Sequence, residues 1–82
     1  MGKYDPLFRR LCTTDSADAV ELTFDEIEQL VGPLPAAAAR REWWTNDHVT
    51  RPAPARAWLD AGRQVETVDR RARQVRFSAA RW

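Results

Sequence analysis

Apolar residues in the first part of the chain recur with helical spacing. Leu7 and Leu11 lie one turn apart, and Asp5-Pro6 precedes them. Aspartate is a common N-cap, and proline is favoured at the first helical position because its missing N–H group would have no partner there. The spacing therefore predicts a first helix over roughly 5–13.

A short strand and a second helix follow. Residues 20–23 alternate between apolar and polar side chains, as a half-buried strand does. Thr23 and Glu26 have the spacing of a capping box, in which each side chain satisfies the backbone N–H group of the other residue. The second helix should begin there, end at Gly32-Pro33 and bury one apolar face, formed by Phe24, Ile27, Leu30 and Val31.

The middle of the chain predicts two further helices. The alanine-rich residues 36–41 favour helix, and this third helix should continue into Trp43-Trp44. Residues 45–48 are typical of a turn. A fourth helix is predicted over 55–61, with Gly62 as its C-cap.

Alternation returns at the end of the chain and predicts a hairpin. Residues 64–69 and 73–78 form two strands around the turn Arg70-Arg71-Ala72. Val65 and Val68 would fall on opposite faces of a regular strand, which indicates either a β-bulge or a shift of register there.

These elements together predict the fold class. The length of 82 residues allows one domain, 1–82. The order helix-strand-helix-helix-helix-strand-strand predicts an α+β fold with a three-stranded antiparallel sheet. With one short helix removed, it is the order of a winged helix, in which the final hairpin is the wing. We therefore expect a small winged-helix-like domain.

Composition excludes several classes of protein. Cys12 is the only cysteine, so an internal disulfide and a Cys-rich zinc site are excluded; it follows Leu11 and should be buried. No apolar stretch is long enough to span a bilayer, and no signal peptide is visible. We expect a cytoplasmic protein without a cofactor. We also expect no metal site, because the densest acidic group, Asp25, Glu26 and Glu28, has the spacing of acidic residues in the first turn of a helix.

Charge is divided unevenly along the chain. Residues 1–34 contain three basic and seven acidic residues, whereas residues 35–82 contain ten arginines, no lysine and five acidic residues. Arginine suits bidentate contacts to phosphate and carboxylate groups. A GC-rich genome is an alternative explanation for the preference over lysine, but it does not explain the segregation of charge. The second half is therefore the candidate binding half.

Short motifs spread over nearly the whole chain form a recurring pattern. They are Lys3-Tyr4-Asp5-Pro6-Leu7, Leu22-Thr23-Phe24, Ile27-Glu28, Leu34-Pro35, Trp43-Trp44, Asn46-Asp47, Ala55-Arg56-Ala57-Trp58-Leu59, Ala61-Gly62, Val68-Asp69 and Val75-Arg76-Phe77. On these motifs the chain resembles an uncharacterised family of small bacterial domains, found alone or attached to larger proteins that include nucleic-acid enzymes. The resemblance implies a binding accessory and no catalytic residue. Arg63 departs from the family pattern, which favours an aromatic residue there.

Trp43 and Trp44 are the first candidates for a binding site. Adjacent residues on a helix point about 100° apart, so one of the two, Trp44, can face outward and stack on a base. Alternatively, both indoles fill the core of a small domain and their N–H groups find acceptors there.

Asn46-Asp47-His48 is the second candidate. An asparagine such as Asn46 can bind the adenine edge in the major groove, and an exposed His48 beside Asp47 could perform acid–base chemistry. Alternatively, Asn46 or Asp47 caps the local backbone in a turn. Because no nucleophile motif and no second histidine support His48, we do not expect an enzyme.

The arginines of the second half are the third candidate. In a winged helix, the helix over 36–44 or 55–61 would lie against duplex DNA, and the wing would contact phosphates. The alternative is a solvated surface with weak local ion pairs. The candidate phosphate contacts are Arg40, Arg41, Arg51, Arg56, Arg70, Arg71, Arg73 and Arg76.

The sequence thus predicts a small non-catalytic binding protein whose favoured ligand is duplex DNA. The alternative is a protein-interaction module or accessory subunit, acting with a protein partner or as a homodimer. In that case an exposed tryptophan would anchor the partner: Trp43, Trp44, Trp58 or Trp82.

Overall fold

The computed structural model describes residues 2–13, 18–50 and 52–80. Within them lie the helices α1 (Asp5–Cys12), α2 (Phe24–Val31) and α3 (Ala53–Leu59) and the strands β1 (Val20–Thr23), β2 (Arg63–Asp69) and β3 (Gln74–Ala79). The strands pair in one antiparallel sheet, in the order β1-β3-β2. The predicted α+β class with a three-stranded antiparallel sheet is confirmed.

The first two helices begin close to where the sequence predicts. In α1 the N-cap is Tyr4, one residue before the expected Asp5, whose carboxylate instead accepts the Gly2 N–H group at 3.1 Å. At the start of α2 the capping box is confirmed. Thr23 Oγ1 accepts the Glu26 N–H group and Glu26 Oε1 accepts the Thr23 N–H group, both at 3.0 Å.

The predicted third helix is wrong. Residues 36–43 form two 3-10 turns, Ala36–Ala39 and Arg41–Trp43, separated by Arg40 in an extended conformation. Helix propensities differ by less than about 1 kcal/mol per residue. A buried aromatic side chain removes roughly 150–250 Å² from water, which contributes several kcal/mol at about 25 cal/mol per Å². The chain therefore breaks at Arg40 and directs Trp44 into the core.

The fourth predicted helix exists as α3, shifted toward the N-terminus. It begins at Ala53 after the N-cap Pro52 and ends with Asp60 as C-cap, rather than with Gly62. Gly62 has a left-handed φ of 76°, and its N–H group donates to the Leu59 carbonyl at 3.0 Å. Glycine tolerates this conformation without steric cost, so Gly62 turns the chain from α3 into β2.

The hairpin and its bulge are confirmed. The register of β2 against β3 shifts between Val65 and Thr67, so that Glu66 is the extra residue. The shift returns Val68 to the core side, where it is half-buried. Arg73 closes the turn with a left-handed φ of 54°, a conformation that is uncommon for a residue other than glycine, asparagine or aspartate.

The core lies between one face of the sheet and the helices. α1 packs against both α2 and α3, and α3 packs against β2. Cys12, predicted to be buried, is exposed, because α1 turns Leu7 and Leu11 inward and ends with Cys12 facing solvent. The largest fully buried apolar side chains are Trp44, Trp58, Phe77, Leu7, Leu11, Leu22, Ile27 and Val75.

No helix in the described ranges 2–13, 18–50 and 52–80 combines the length and the apolar character that a membrane span requires.

Candidate nucleic-acid interface

The aromatic segment Trp43–Asn46 is part of the core. Trp44 is fully buried, and its indole N–H group donates to the Ala38 carbonyl at 2.9 Å. Trp58, also fully buried, donates to the Thr45 carbonyl at 3.0 Å. Trp43 is half-buried and packs edge-on against Trp44, with 4.7 Å between ring centroids. Trp44 therefore has no exposed face for a base, and its predicted role as a stacking residue does not fit this fold.

The side chain of Asn46 is committed to the sheet. Its Nδ2 donates to the Val65 carbonyl at 2.9 Å, and its Oδ1 accepts the Val65 N–H group at 2.8 Å. β2 is an edge strand, and unpaired backbone groups on an edge invite pairing with another chain. Asn46 satisfies both groups of Val65 as one residue of a neighbouring strand would. The predicted contact of Asn46 with adenine would require this pair of hydrogen bonds to break.

Asp47 organises the turn that follows. Its carboxylate accepts the N–H groups of Val49 (2.9 Å) and Thr50 (3.4 Å) and the hydroxyl of Thr50 (2.8 Å). The hydrogen bond from Val49, then that from the Thr50 hydroxyl, lowers the pKa of Asp47 below its ordinary value. The expectation that Asp47 caps the local backbone is confirmed.

Two of the hairpin arginines are held by carboxylates. On the sheet face away from the core, Arg76 joins all three strands, with Nη1 at 2.7 Å from Glu21 Oε1 and Nε at 3.2 Å from Glu66 Oε2. Arg73 Nη2 lies 3.6 Å from Asp25 Oδ1 and 3.8 Å from Glu28 Oε1, both on α2. A phosphate bound to either arginine would compete with these carboxylates.

The remaining hairpin arginines are exposed and border a shallow groove. This tip groove runs between Ala39 and the end of β2 and is lined by Ala39, Thr67, Val68, Asp69, Arg70 and Arg71. Arg40, the residue after Ala39, is also exposed. The guanidinium groups of Arg40, Arg70 and Arg71 form no ion pair with the part of the chain that the structure describes. We call these three arginines the basic surface.

Asp69 adds the one carboxylate of the tip groove, and this group supports the turn. Its Oδ1 accepts the backbone N–H groups of Arg71 and Ala72, both at 3.0 Å. Asp69 therefore binds the backbone of the turn by hydrogen bonds. Because these bonds fix the turn, they also fix the positions from which Arg70 and Arg71 extend into solvent.

A second groove adjoins the first. This alanine groove lies between residues 34–39 and the hairpin, has a volume of about 290 Å³ and shares Ala39 and Arg70 with the tip groove. Its apolar wall comes from Leu34, Pro35, Ala36 and Ala39, and Phe24, Glu28 and Arg73 line it as well. The two grooves thus form one continuous surface with Arg70 at the junction.

The other arginines predicted to contact phosphate lie away from this surface or form hydrogen bonds to the backbone. Arg41 Nη1 donates to the Trp44 carbonyl at 2.7 Å and so closes the second 3-10 turn. Arg56 is exposed on α3 and lines a different groove of about 400 Å³, between α3 and the N-terminal turn, together with Lys3 and Asp60. Arg51 lies outside the described residues, as does Trp82.

Arg63 has a structural role that the sequence did not reveal. It is 1% exposed, its Nε donates to the Leu11 carbonyl at 3.1 Å, and its Nη1 donates to the Asp18 carbonyl at 2.6 Å. The Leu11 carbonyl belongs to the last turn of α1, where the helix dipole favours a cation. Arg63 therefore ties the start of β2 to the end of α1. Its only signal in the sequence was its departure from the family pattern.

Among the described residues, no group of three or more histidine, cysteine, aspartate or glutamate side chains is arranged to hold a metal ion.

Residues 4–80 match a domain family described as Domain of unknown function (DUF7662). The match agrees with the resemblance to an uncharacterised family of small domains. No curated protein and no solved structure matches the chain.

Proposed function

The chain belongs to this domain family of unknown function, and on that premise we propose that it binds nucleic acid, with duplex DNA as the favoured form, through the tip of its hairpin. The observation that carries the proposal is the convergence of Arg70 and Arg71 with the segment before Arg40 on one groove. Arg40, Arg70 and Arg71 are exposed and form no ion pair with the described residues, and such cations are suited to contact phosphates.

The distribution of acidic partners supports the choice of these arginines. Arg73 and Arg76 are each within 4 Å of two carboxylates, so binding a phosphate there would sacrifice an existing contact. Arg40, Arg70 and Arg71 would make no such sacrifice, because they have no ion pair in the described residues. The proposed contacts are therefore a subset of those expected from the sequence.

The topology supports a wing-like role for the hairpin. The helices and strands occur in the order α1-β1-α2-α3-β2-β3, and β1 pairs with β3 at one side of the sheet. This order is the one expected of a winged helix. The helix α3 offers less to a duplex, because four of its seven residues are buried and Arg56 is its single basic residue. We therefore assign the principal phosphate contacts to the hairpin rather than to α3.

The test is fluorescence polarisation with a labelled duplex of mixed sequence and a labelled single strand of the same length. The variant is Arg70→Ala/Arg71→Ala. The matched control is Lys3→Ala/Arg9→Ala, which removes the same charge from exposed positions outside both hairpin grooves. Measurements at about 50 and 200 mM salt give the number of phosphate contacts, because the logarithmic salt slope is about −0.9 per contact.

The proposal predicts salt-dependent binding that the hairpin variant weakens and the control retains. The salt slope of the hairpin variant should fall by about 2, because each of the two arginines neutralises one phosphate. Equal reductions in affinity in both variants would mean that only net charge matters, and would contradict the proposed surface. No binding at low salt would reject nucleic acid as the ligand and leave the alternative, a protein partner or a second copy of the chain.

The protein-interaction alternative has less support from the described surface. Trp44 and Trp58 are buried and Trp43 is half-buried, so none of them projects as an anchor. In the described residues the exposed large hydrophobic side chain is Val49, which is 92% exposed. A single valine does not form the contiguous apolar patch that marks a protein interface.

A further inference from the structure

A chain of ring contacts runs from the core to the alanine groove. Trp58 stacks on Trp44 with 5.7 Å between centroids, and Trp44 stacks on Phe24 at 5.6 Å. The guanidinium carbon of Arg73 lies 5.6 Å from the centroid of the Phe24 ring. The last group in this series is the planar, cationic guanidinium of Arg73, and it is accessible to solvent because the side chain is 59% exposed.

The surroundings of Arg73 favour a planar ligand over a phosphate. Asp25 and Glu28 lie within 4 Å of its guanidinium nitrogen and offset part of its charge. Both ion pairs run through Nη2, and the side of the guanidinium group away from Phe24 can stack on a nucleobase. The two carboxylates would repel a phosphate at the same place. A base can therefore occupy this position more easily than a phosphate can.

The backbone of Arg73 also indicates a constrained position. Its φ of 54° lies in the left-handed region, where glycine or asparagine is the usual choice. The conformation brings the Arg73 carbonyl to 2.8 Å from the N–H group of Phe24, so the hairpin tip is joined to α2 directly beneath the guanidinium group. The backbone of Arg73 is therefore held in place by the fold itself, independently of any ligand.

We propose that Arg73 and the alanine groove bind one unpaired nucleobase, while the adjoining basic surface binds the phosphates of the same strand. This inference rests on the proposed binding of nucleic acid and deepens it by naming a second form of ligand beside the duplex, a strand with an unpaired base. The groove of about 290 Å³ lies just below the range for small-ligand sites, roughly 300–1,000 Å³, and a single base is smaller than most such ligands. Its lining combines apolar side chains with the Arg73 guanidinium group, and a base can pack on both kinds of surface. Arg70 lines both grooves and links the base position to the phosphates.

The experiment compares two labelled single strands of equal length by fluorescence polarisation, an oligothymidylate and an abasic strand that keeps the phosphates and lacks the bases. Two variants are compared with the wild-type protein. Arg73→Lys keeps the charge and removes the plane, whereas Arg70→Ala removes a phosphate contact and keeps the plane. Circular dichroism melting of each variant verifies that it is folded.

The inference predicts that the wild-type protein binds the oligothymidylate about tenfold more tightly than the abasic strand, since base stacking contributes that much per base. Arg73→Lys should abolish this preference and leave affinity for the abasic strand unchanged. Arg70→Ala should weaken binding of both strands by the same factor. These opposite patterns separate the base site from the phosphate surface.

Other outcomes would overturn the inference. If the wild-type protein binds both strands equally, or if Arg73→Lys weakens both equally, Arg73 contacts phosphate or nothing, and the proposed function survives without a base site. If neither strand binds, and the duplex does not bind either, the proposed function fails together with the inference.

A second variant keeps the inference testable if Arg73→Lys does not fold. Ala36→Leu adds bulk to the exposed apolar wall of the alanine groove and leaves the contacts of Arg73 in place. We expect it to reduce affinity for the oligothymidylate about tenfold and to leave the abasic strand unaffected. An unchanged affinity for the oligothymidylate would contradict occupation of the groove by a base.

Discussion

In the sequence, the aromatic segment Trp43–Asn46 and the hairpin tip 69–73 are equally good candidates for a binding site. The fold buries or pairs the key side chains of the first and leaves the arginines of the second exposed. In the aromatic segment, Trp44 is buried and Asn46 pairs with the backbone of β2. At the hairpin tip, the backbone of the turn is tied down by Asp69 while Arg70 and Arg71 remain exposed. Residue type alone therefore does not identify a binding residue; the partners that the fold supplies decide it.

The difference has a physical cause in the cost of leaving groups unpaired. An indole can lose all its exposed area in the core, provided that its N–H group finds an acceptor, as Trp44 does in Ala38. A guanidinium group needs several acceptors, and burial without them is expensive. Arg63 is buried with carbonyl acceptors, whereas the arginines at the tip keep their hydration.

The comparison is tested most strongly by Trp44→Ala. Removing a fully buried tryptophan costs about 3–5 kcal/mol, a large fraction of the stability of a domain of this size. We expect the free energy of unfolding, measured by urea denaturation, to fall by this amount or the variant to be unfolded. Trp44→Phe, which retains most of the apolar area, should be destabilised less. A denaturation midpoint equal to that of the wild-type protein would show that Trp44 is not a core residue.

Asn46→Ala should have the next largest effect. It leaves the N–H group and the carbonyl of Val65 without the Asn46 amide, and an unsatisfied buried group costs about 1–3 kcal/mol. Asn46→Asp is the matched control, because it keeps an acceptor for the Val65 N–H group and removes the donor to the carbonyl. Hydrogen exchange of the Val65 amide should accelerate in Asn46→Ala more than in Asn46→Asp. Equal protection in all three proteins would contradict the role of Asn46 at the strand edge.

A substitution at the start of α2, where Phe24 contacts both regions, should have a smaller effect on stability. Thr23→Ala removes the N-cap hydrogen bond to Glu26 and should cost about 1 kcal/mol in urea denaturation. The hydrogen bond from the Phe24 N–H group to the Arg73 carbonyl does not involve the Thr23 side chain, so it should persist in this variant. A decrease below about 0.3 kcal/mol would mean that the capping box does not hold α2 in solution.

Glu26 makes the same cap sensitive to pH. The hydrogen bond from the Thr23 N–H group lowers the pKa of Glu26 below its ordinary value of 4.5. A depressed pKa in the folded state contributes stability above the unfolded pKa, and that contribution disappears as the pH falls through the folded pKa. We expect the melting temperature of Glu26→Gln, which retains the acceptor, to decrease less than that of the wild-type protein below pH 4.5. Parallel decreases would contradict the assignment.

Arg71→Ala should have the smallest effect on stability. Exposed side chains away from caps and cores change the free energy of unfolding by about 0.5 kcal/mol or less, and the guanidinium group of Arg71 has no ion pair in the described chain. Urea denaturation should therefore give a midpoint close to that of the wild-type protein. A decrease above about 1 kcal/mol would show that Arg71 supports the fold, as Trp44 and Asn46 do.

The parts of the fold that could be predicted from the sequence depend on neighbours along the chain. The capping box joins residues three apart, and the bulge was visible because Val65 and Val68 break the alternation of one strand. The parts that could not be predicted depend on distant partners. Asn46 binds Val65, 19 positions away, and Arg63 binds Leu11, 52 positions away. Local spacing carries no information about such contacts.

The candidate site follows the same division. The arginines of the turn could be located at the hairpin tip because the two strands around them were recognisable. The sequence could not show which of these arginines form ion pairs. Arg73 and Arg76 do so because the fold brings them to carboxylates from α2, β1 and the bulge of β2. The position of Ala39 beside Arg70 also depends on the break at Arg40, where a continuous helix had been expected.

The most direct test of the central contrast is an amide and indole NMR titration of the ¹⁵N-labelled protein with a short oligonucleotide. We predict that the amide signals of Arg40, Arg70 and Arg71 shift with added oligonucleotide, while the indole N–H signals of Trp44 and Trp58 stay in place because both bind backbone carbonyls. Shifts concentrated at the two indoles and at Asn46, with the hairpin tip unchanged, would contradict this prediction.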